Sequence, residues 1–164
     1  LIRCQSNKAP QAVMEYSFTR NKHYRYSLTR QWGESGTLLV VGLNPSIADA
    51  RIDDPTVRRC IGFAKSWGFS NLIMANLFAY RSTDPNLLAE VNDPIGPMND
   101  RSLRKLVDLA DLLLVAWGTR GEMLNRDEQV LSWLPRPHCL GTTRAGFPRH
   151  PLYVRGDVRP VLFG

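Results

Sequence analysis

The chain of 164 residues is long enough for one domain with a sizeable core, and its 43% hydrophobic and 22% charged residues are ordinary for a globular protein. Its three cysteines are odd in number and far apart, which argues against a disulfide framework and Cys-x-x-Cys metal sites and favours a reducing compartment. No apolar run approaches the roughly 18 residues that span a bilayer, and the first residues lack a signal-peptide core. We therefore expect a cytoplasmic protein without a membrane partner.

The net charge of +6 is concentrated at the two ends of the chain. Residues 1–31 hold six basic residues and one acidic residue, and residues 136–164 hold five and one. Residues 32–135 hold ten basic and thirteen acidic residues. Two basic ends around a slightly acidic body are expected if both ends approach a polyanion such as nucleic acid; ordinary solvated surface charge is the alternative.

The N-terminal part divides into a tail and a hairpin. Residues 1–11 contain little apolar material and are predicted to be a flexible tail, whereas residues 12–164 are predicted to form a single α/β domain. Within residues 12–31, two short aromatic and aliphatic runs bracket the basic stretch 20–23, which predicts a basic β-hairpin at the edge of the main sheet. Its tyrosines would stack on bases or simply cover a core edge.

The stretch 38–46 predicts the central strand and the corner of a ligand site. Four apolar residues at 38–41 indicate a strand buried on both faces, and Gly42-Leu43-Asn44-Pro45-Ser46 ends it. Ligands of open α/β sheets bind outside the carboxyl ends of parallel strands, so Asn44 is the first candidate for chemistry. An ordinary Asn-Pro turn is the alternative.

The remaining elements alternate between helices and strands. Asp54 as N-cap and Pro55 at the first helical position predict a helix that ends at Gly68. Buried strands are predicted at 71–78, 111–116 and 138–141. Asn99 or Asp100 is expected to cap a second helix, and Met123 with Val130, Leu131 and Leu134 indicates a third. The Pro/Gly/Asp-rich connection 82–98 is long enough to form a functional rim.

This order predicts an α/β fold with three α/β/α layers, a central, mainly parallel four-stranded sheet and the added N-terminal hairpin. Parallel strands bring their carboxyl ends to one edge of the sheet. Candidate site residues gather there: Asn44, Asn76 with Phe78, Trp117, and the loop of Arg149, His150 and Pro151. Each has a structural alternative, since Asn76 could satisfy backbone groups, Trp117 could be core or pocket wall, and His150 could order its loop.

Absent motifs narrow the chemistry. The sequence has no Gly-x-x-x-x-Gly-Lys-Ser/Thr loop and no Gly-x-Gly-x-x-Gly fingerprint, so we expect no cofactor. It has no Gly-x-Ser-x-Gly elbow for acyl transfer. Asp49, Asp53 and Asp54 could be metal ligands, but Asp53-Asp54 before Pro55 indicates mainly a helix start, and no metal is predicted. The chemistry that remains is hydrogen bonding to a ligand held by amides, an aromatic ring and a histidine.

Two resemblances follow from these motifs. The segments NPSIADARIDDPTVRRC, NLFAYRSTDP, AWG and GFPRHPLY are similar to an uncharacterised family of bacterial and phage proteins, a domain of unknown function, over about residues 24–154. The order strand–Gly-x-Asn-Pro, strand–Asn, strand–Trp-Gly and a late His-Pro resembles the uracil-DNA glycosylase superfamily, whose mismatch-specific branch has a similar first motif. On this resemblance residues 37–154 are a glycosylase-like core.

The glycosylase resemblance implies a role for each matched residue. Asn44 would orient the attacking water, and its neighbours Gly42, Pro45 and Ser46 would help to bind the substrate. Asn76 would read the polar edge of an extruded base, Phe78 or Tyr80 would stack on that base, and Trp117 would also contact the substrate. His150 would stabilise negative charge on the departing base. An asparagine cannot accept the proton of the water, so Asp49 or Asp53 is the candidate base if the loop folds back. The DNA backbone would be bound by basic side chains of both ends: Arg20, Lys22, Arg25, Arg144, Arg149 and Arg155.

The expected function is therefore that of a DNA glycosylase-like protein, acting on a modified or mismatched base by hydrolysis of the N-glycosidic bond. Two alternatives stay open. One is a nucleic-acid- or nucleotide-binding module without catalysis, and the other is an enzyme acting on free nucleosides or modified nucleotides.

Overall fold

The structure is a computed structural model that describes residues 23–46, 48 and 51–164, together with the backbone of residues 16–18. The predicted tail of residues 1–11 lies outside the described residues. The same holds for Arg20 and Lys22 of the predicted hairpin tip and for Asp49 of the predicted site.

The described residues form a mixed α/β fold around one seven-stranded sheet, ordered β1-β2-β4-β3-β5-β6-β7. Strands β3, β4, β5 and β6 are parallel, which confirms the parallel pairing expected of the four predicted strands. The strands are β1 (Tyr16–Phe18), β2 (Arg25–Gln31), β3 (Thr37–Gly42), β4 (Asn71–Asn76), β5 (Leu112–Val115), β6 (His138–Cys139) and β7 (Val161–Leu162). The helices are α1 (Pro55–Ser66), α2 (Asn99–Val107) and α3 (Arg126–Leu131), with 3-10 helices at Pro85–Glu90, Gly118–Asn125 and Pro151–Tyr153.

Both margins of the sheet are antiparallel. Strand β1 pairs with β2, and β2 pairs with β4, as expected for an N-terminal hairpin added to the sheet edge. At the opposite margin β7 pairs with β6, with Cys139 opposite Val161. This last strand was not predicted, because two largely exposed residues after a long loop carry no periodic signal.

The core lies on both faces of the sheet because successive strand residues point to opposite sides. In β3, Leu39 and Val41 belong to one buried cluster and Leu38 and Val40 to the other, all four with no exposed surface. Helix α1 packs into the second cluster through residues such as Phe63. Helices α2 and α3 contribute Leu103 and Val130, respectively, to the first cluster.

Helix α1 follows the sequence prediction closely. Asp54 Oδ1 accepts a hydrogen bond from Val57 N at 2.8 Å, and Pro55 occupies the first turn. The helix ends at Ser66, and Gly68 adopts a left-handed φ of 86°, a conformation that glycine enters without steric cost. Asp54 and Gly68 therefore flank the two ends of α1, as the sequence predicted.

Helix α2 departs from the prediction that Asn99 or Asp100 caps it. Met98 takes the N-cap position, without a side-chain cap. The fully buried Asn99 instead donates from Nδ2 to the main-chain oxygens of Asn76 and Leu77, at 3.0 and 2.9 Å. The carbonyl of Leu77 also accepts from Nε of the buried Arg126, at 2.9 Å. Two helices thus hold the end of β4.

The segment after β5 is also more irregular than the single helix predicted there. Its 3-10 helix is interrupted at Leu124 and Asn125, which have left-handed φ angles of 59° and 52°. Only Arg126–Leu131 is α-helical. None of the helices in the described part of the chain has the length and apolar composition needed to cross a membrane.

Candidate functional site

A cavity of about 490 Å³ opens at the carboxyl ends of the parallel strands. Its wall includes four residues that the sequence analysis selected, Asn44, Asn76, Trp117 and His150. Gly42, Pro45 and Ser46, which were predicted to bind substrate, also line it. The volume lies within the range typical of sites for small organic ligands.

Asn44 presents one amide oxygen for a ligand. Its Nδ2 donates to the main-chain oxygens of Pro45 and Ser82, at 3.1 and 2.9 Å, so both amide protons are used within the protein. Among the described residues, its Oδ1 has no hydrogen-bond partner. Because Ser82 N also donates to Pro45 O at 2.9 Å, the loops after β3 and β4 run side by side and fix this orientation.

Asn76 is 7% exposed, ends β4 and faces Gly42, its register partner on β3. Its side-chain amide has no hydrogen-bond partner among the described residues. An amide with both its donor and its acceptor unused can read a matching donor and acceptor pair on a ligand. The main chain of Asn76 is held by Asn99, so the orientation of this amide depends mainly on its own side-chain torsions.

His150 presents one ring nitrogen as a donor. Its Nδ1 accepts a hydrogen bond from Leu152 N at 3.2 Å, which places the proton of the neutral ring on Nε2. Burial lowers the pKa of His150 below its ordinary value of 6.5, while the nearby charge of Asp54 acts in the opposite direction. At neutral pH the ring is therefore uncharged and able to donate one hydrogen bond to an oxygen that gains negative charge.

Trp117 and Gly118 form the wall beside His150. Trp117 is 2% exposed, belongs to the core and also borders the cavity. Its Nε1 is buried without a hydrogen-bond partner among the described residues. Gly118 has a left-handed φ of 72° and donates from its N–H to Pro148 O at 3.0 Å, which brings the His150 loop against the end of β5.

The acidic residues of the 49–54 segment have different positions. Asp53, a predicted base, pairs with the buried Arg30, with 2.8 Å from Arg30 Nε to its Oδ1, and does not line the cavity. Asp49 lies outside the described residues. Asp54, predicted mainly as a helix cap, lines the cavity and is 8% exposed. Periodicity and capping rules predict the helix start at Asp54 but not its place on the cavity wall.

The two predicted stacking rings lie outside the cavity wall. Phe78 has no exposed surface and packs in the core cluster beneath the sheet. Tyr80 packs against the same cluster and contacts Tyr24, with ring centroids 5.9 Å apart. The prediction placed them at the site because they follow Asn76 closely. Phe78 N donates to Leu43 O at 2.9 Å, so the chain still runs beside the segment after β3 at this point, and the Phe78 ring enters the core rather than the cavity.

The predicted phosphate-binding arginines divide into two groups. Arg25 is 3% exposed, lines the cavity and donates from Nη1 to the main-chain oxygen of Ala48. Arg144, Arg149 and Arg155 are exposed and do not line it. Arg149 donates to Thr142 O at 2.9 Å, and Arg155 forms a bidentate pair with Asp157 at 3.0 Å.

The rim contains residues that sequence reasoning did not select individually. Ser82, Thr83 and Pro85 come from the long connection that was expected to form a rim. Thr119 and Arg120 come from the 3-10 helix after β5, and Arg120 Nη1 donates to Asn86 Oδ1 at 2.6 Å. Thr119 and Arg120 could have been predicted as site residues, because they are polar and closely follow the end of a strand.

The described side chains favour hydrogen-bonding chemistry over thiol chemistry. Burial raises the pKa of the Cys60 thiol to about 12, so this cysteine is protonated and a poor nucleophile at neutral pH. No group of three or more His, Cys, Asp or Glu side chains in the described ranges is placed to hold a metal ion. The cavity does combine an amide oxygen, a complete amide, a neutral imidazole and a carboxylate.

Comparison with curated proteins and with solved structures found no match. No comparison connects the chain with uracil-DNA glycosylases. A family model described as "Protein of unknown function (DUF1643)" matches residues 25–152. In the described part of the chain, this range includes the whole cavity wall except Tyr153, which also lines the cavity. The chain therefore belongs to the DUF1643 family, as the similarity of its motifs to a domain of unknown function predicted.

Proposed function

We propose that the protein hydrolyses the N-glycosidic bond of a modified or mismatched base in DNA. The observation that carries the proposal is the convergence of Asn44, Asn76 and His150 on one cavity, each with a polar group unused by the described part of the protein. In this proposal the sheet and its flanking helices form a three-layer core like that of uracil-DNA glycosylases.

The three residues divide the reaction between them. Asn44 Oδ1 accepts a hydrogen bond from the attacking water and orients it toward the anomeric carbon of the sugar. The amide of Asn76 pairs with the polar edge of the base. His150 Nε2–H donates to the base oxygen on which negative charge develops as the glycosidic bond breaks, and a single such donor typically contributes 10²- to 10³-fold in rate.

The test uses duplex and single-stranded oligonucleotides that contain uracil, hydroxymethyluracil or mismatched thymine. Incubation followed by alkaline cleavage reports abasic sites, and chromatography reports the released base. We expect one of these substrates to be cleaved, and His150→Ala and Asn44→Ala to lower its rate at least 100-fold. His23→Ala is the matched control, because this exposed histidine lies outside the cavity wall. Full activity of the first two variants with intact folding would exclude this site.

A second candidate function is binding or turnover of a free nucleotide. It is favoured by the position of the exposed Arg120 on the cavity wall, where a guanidinium can pair with a phosphate, while Arg144, Arg149 and Arg155 lie outside it. Calorimetric titration with nucleosides and their monophosphates separates the candidates. Submillimolar affinity for a monophosphate, with no base released from any oligonucleotide, would support the second candidate.

A further inference from the structure

Asp54 caps helix α1 with only one of its two carboxylate oxygens. Its Oδ1 accepts the hydrogen bond of Val57 N at 2.8 Å at the start of α1. Thr56 and Val57 line the same cavity as Asp54, so the first turn of the helix forms part of the wall. The capping contact fixes the carboxylate in one orientation next to the ligand space.

The second carboxylate oxygen of Asp54 has no hydrogen-bond or ion-pair partner among the described residues. A carboxylate accepts about four hydrogen bonds, and this residue is 8% exposed. Its neighbour Asp53 differs, since that carboxylate is held by Nε and Nη2 of Arg30 at 2.8 and 2.7 Å. Of the described acidic residues, only Asp54 borders the cavity.

The chemistry proposed for the cavity lacks a proton acceptor. The amide of Asn44 orients a water but cannot take its proton at neutral pH, and His150 uses Nδ1 to accept from Leu152 N and has its proton on Nε2. Asp54 shares the cavity wall with both residues. Its negative charge acts to raise the pKa of His150, in the direction opposite to burial.

We infer that Asp54 is the general base of this site, an inference that rests on the proposed glycosidic hydrolysis. The water held by Asn44 forms a bond from its oxygen to the anomeric carbon and gives a proton to the free oxygen of Asp54. The bond from that carbon to the base nitrogen breaks, and its electron pair leaves with the base, stabilised by His150 Nε2–H. Transfer of the proton from Asp54 to the departed base, directly or through water, restores the site and balances the reaction.

The test compares Asp54→Asn, Asp54→Ser and Asp53→Asn on the oligonucleotide that the wild-type protein cleaves best. Asparagine and serine are both good N-cap residues, so the two Asp54 variants keep an acceptor for Val57 N and should fold. We expect single-turnover base release to fall 10²- to 10⁴-fold in both Asp54 variants, the range typical of a lost general base. Affinity for the uncleaved oligonucleotide should change less than threefold, and Asp53→Asn should keep the wild-type rate.

Azide provides a second measurement. It is an anionic nucleophile without a proton to lose, so it should restore base release to Asp54→Asn and leave the wild-type rate unchanged. Wild-type-like rates in Asp54→Asn, or an equal loss in Asp53→Asn, would overturn the inference and leave the proposed function intact. If the wild-type protein releases no base from any substrate, the proposed function fails and the base has no reaction to serve.

Discussion

Gly42 and Asn76 face each other as register partners at the ends of β3 and β4, and a Cβ atom added to Gly42 would lie 2.9 Å from Asn76 Oδ1. This approach is closer than carbon and oxygen atoms tolerate without bonding. The small residue that ends the central strand therefore provides the space in which the amide of Asn76 lies. Because Gly42 has no side chain, the amide of Asn76 can occupy this position in the site.

Gly42→Ala should displace the Asn76 amide while the fold persists. The nearest atom is the end of a side chain that can rotate, and the φ angle of Gly42 lies outside the left-handed region. We expect ligand affinity or base release to fall at least tenfold, with the free energy of unfolding lowered by about 1 kcal/mol, the low end of the usual cost of overpacking. A double-mutant cycle with Asn76→Ala checks the cause, because the two losses should not add. Additive losses would contradict the contact.

Gly121→Ala should destabilise the protein, in contrast to Gly62→Ala. A Cβ at Gly121 would lie 2.2 Å from Trp117 Cδ1, and the buried indole ring has little space to move, so overpacking should cost about 1–3 kcal/mol. A Cβ at Gly62, in the interior of α1, meets no atom within 4 Å, and alanine there should stabilise by about 0.5–1 kcal/mol. Urea unfolding of both variants measures the difference; equal midpoints would be inconsistent with this packing.

Asn44→Ala should lose both stability and activity, whereas Asn71→Ala should lose stability alone. Each asparagine donates from Nδ2 to main-chain carbonyls, but Asn71 lies at the opposite end of β4 and outside the cavity. Net losses of about 0.5–1.5 kcal/mol per hydrogen bond are expected in unfolding experiments. Only Asn44→Ala should lower base release, by at least 100-fold. Equal activity losses would assign the effect to folding.

Acid should destabilise the protein through His150. The pKa of His150 in the folded protein lies below 6.5 because burial disfavours the imidazolium, so the unfolded chain binds the proton at a higher pH. The resulting stabilisation is complete above about pH 6.5 and is lost as the pH falls through the lower folded pKa. Urea unfolding between pH 8 and pH 5 should show this slope in the wild type and a smaller slope in His150→Gln.

A proton titration of the His150 ring by NMR checks the same prediction directly. The other ionisable side chains on the cavity wall are Arg25, Asp54, Arg120 and Tyr153, and the ring centroid of Tyr153 lies 5.6 Å from that of His150. Asp54→Asn should lower the pKa of His150 further, because the carboxylate favours the charged ring. A pKa above 6.5 in the wild type, or a rise in Asp54→Asn, would be incompatible with this geometry.

The central elements could be predicted because their signals are local. The apolar run at 38–41 corresponds to β3, and the Asp54-Pro55 pair corresponds to the start of α1. The rule that parallel strands end at one edge of the sheet predicted that Asn44, Asn76 and His150 lie together, and all three line one cavity. Features that depend on tertiary contacts could not be predicted from the sequence. Phe78 follows a strand end in the sequence, yet its ring packs in the core with residues from several distant elements.

Asp54 shows the same limit in a single residue. Its capping role is local and could be predicted, whereas its position on the cavity wall depends on how the start of α1 meets the loops after β3 and β5. The sequence assigned the role of base to Asp49 or Asp53, and the ion pair of Asp53 with Arg30 is a contact across 23 positions that no local pattern reveals.

The carbonyl of Leu77 joins three parts of the fold that the chain order separates. Asn99 at the start of α2 and Arg126 at the start of α3 both donate to it, and Asn99 also holds the neighbouring carbonyl of Asn76. A ligand that restrains Asn76 would therefore also restrain the first turns of α2 and α3, which hold the end of β4. Slower amide hydrogen exchange in those turns would then report occupancy of the cavity from residues that never contact the ligand.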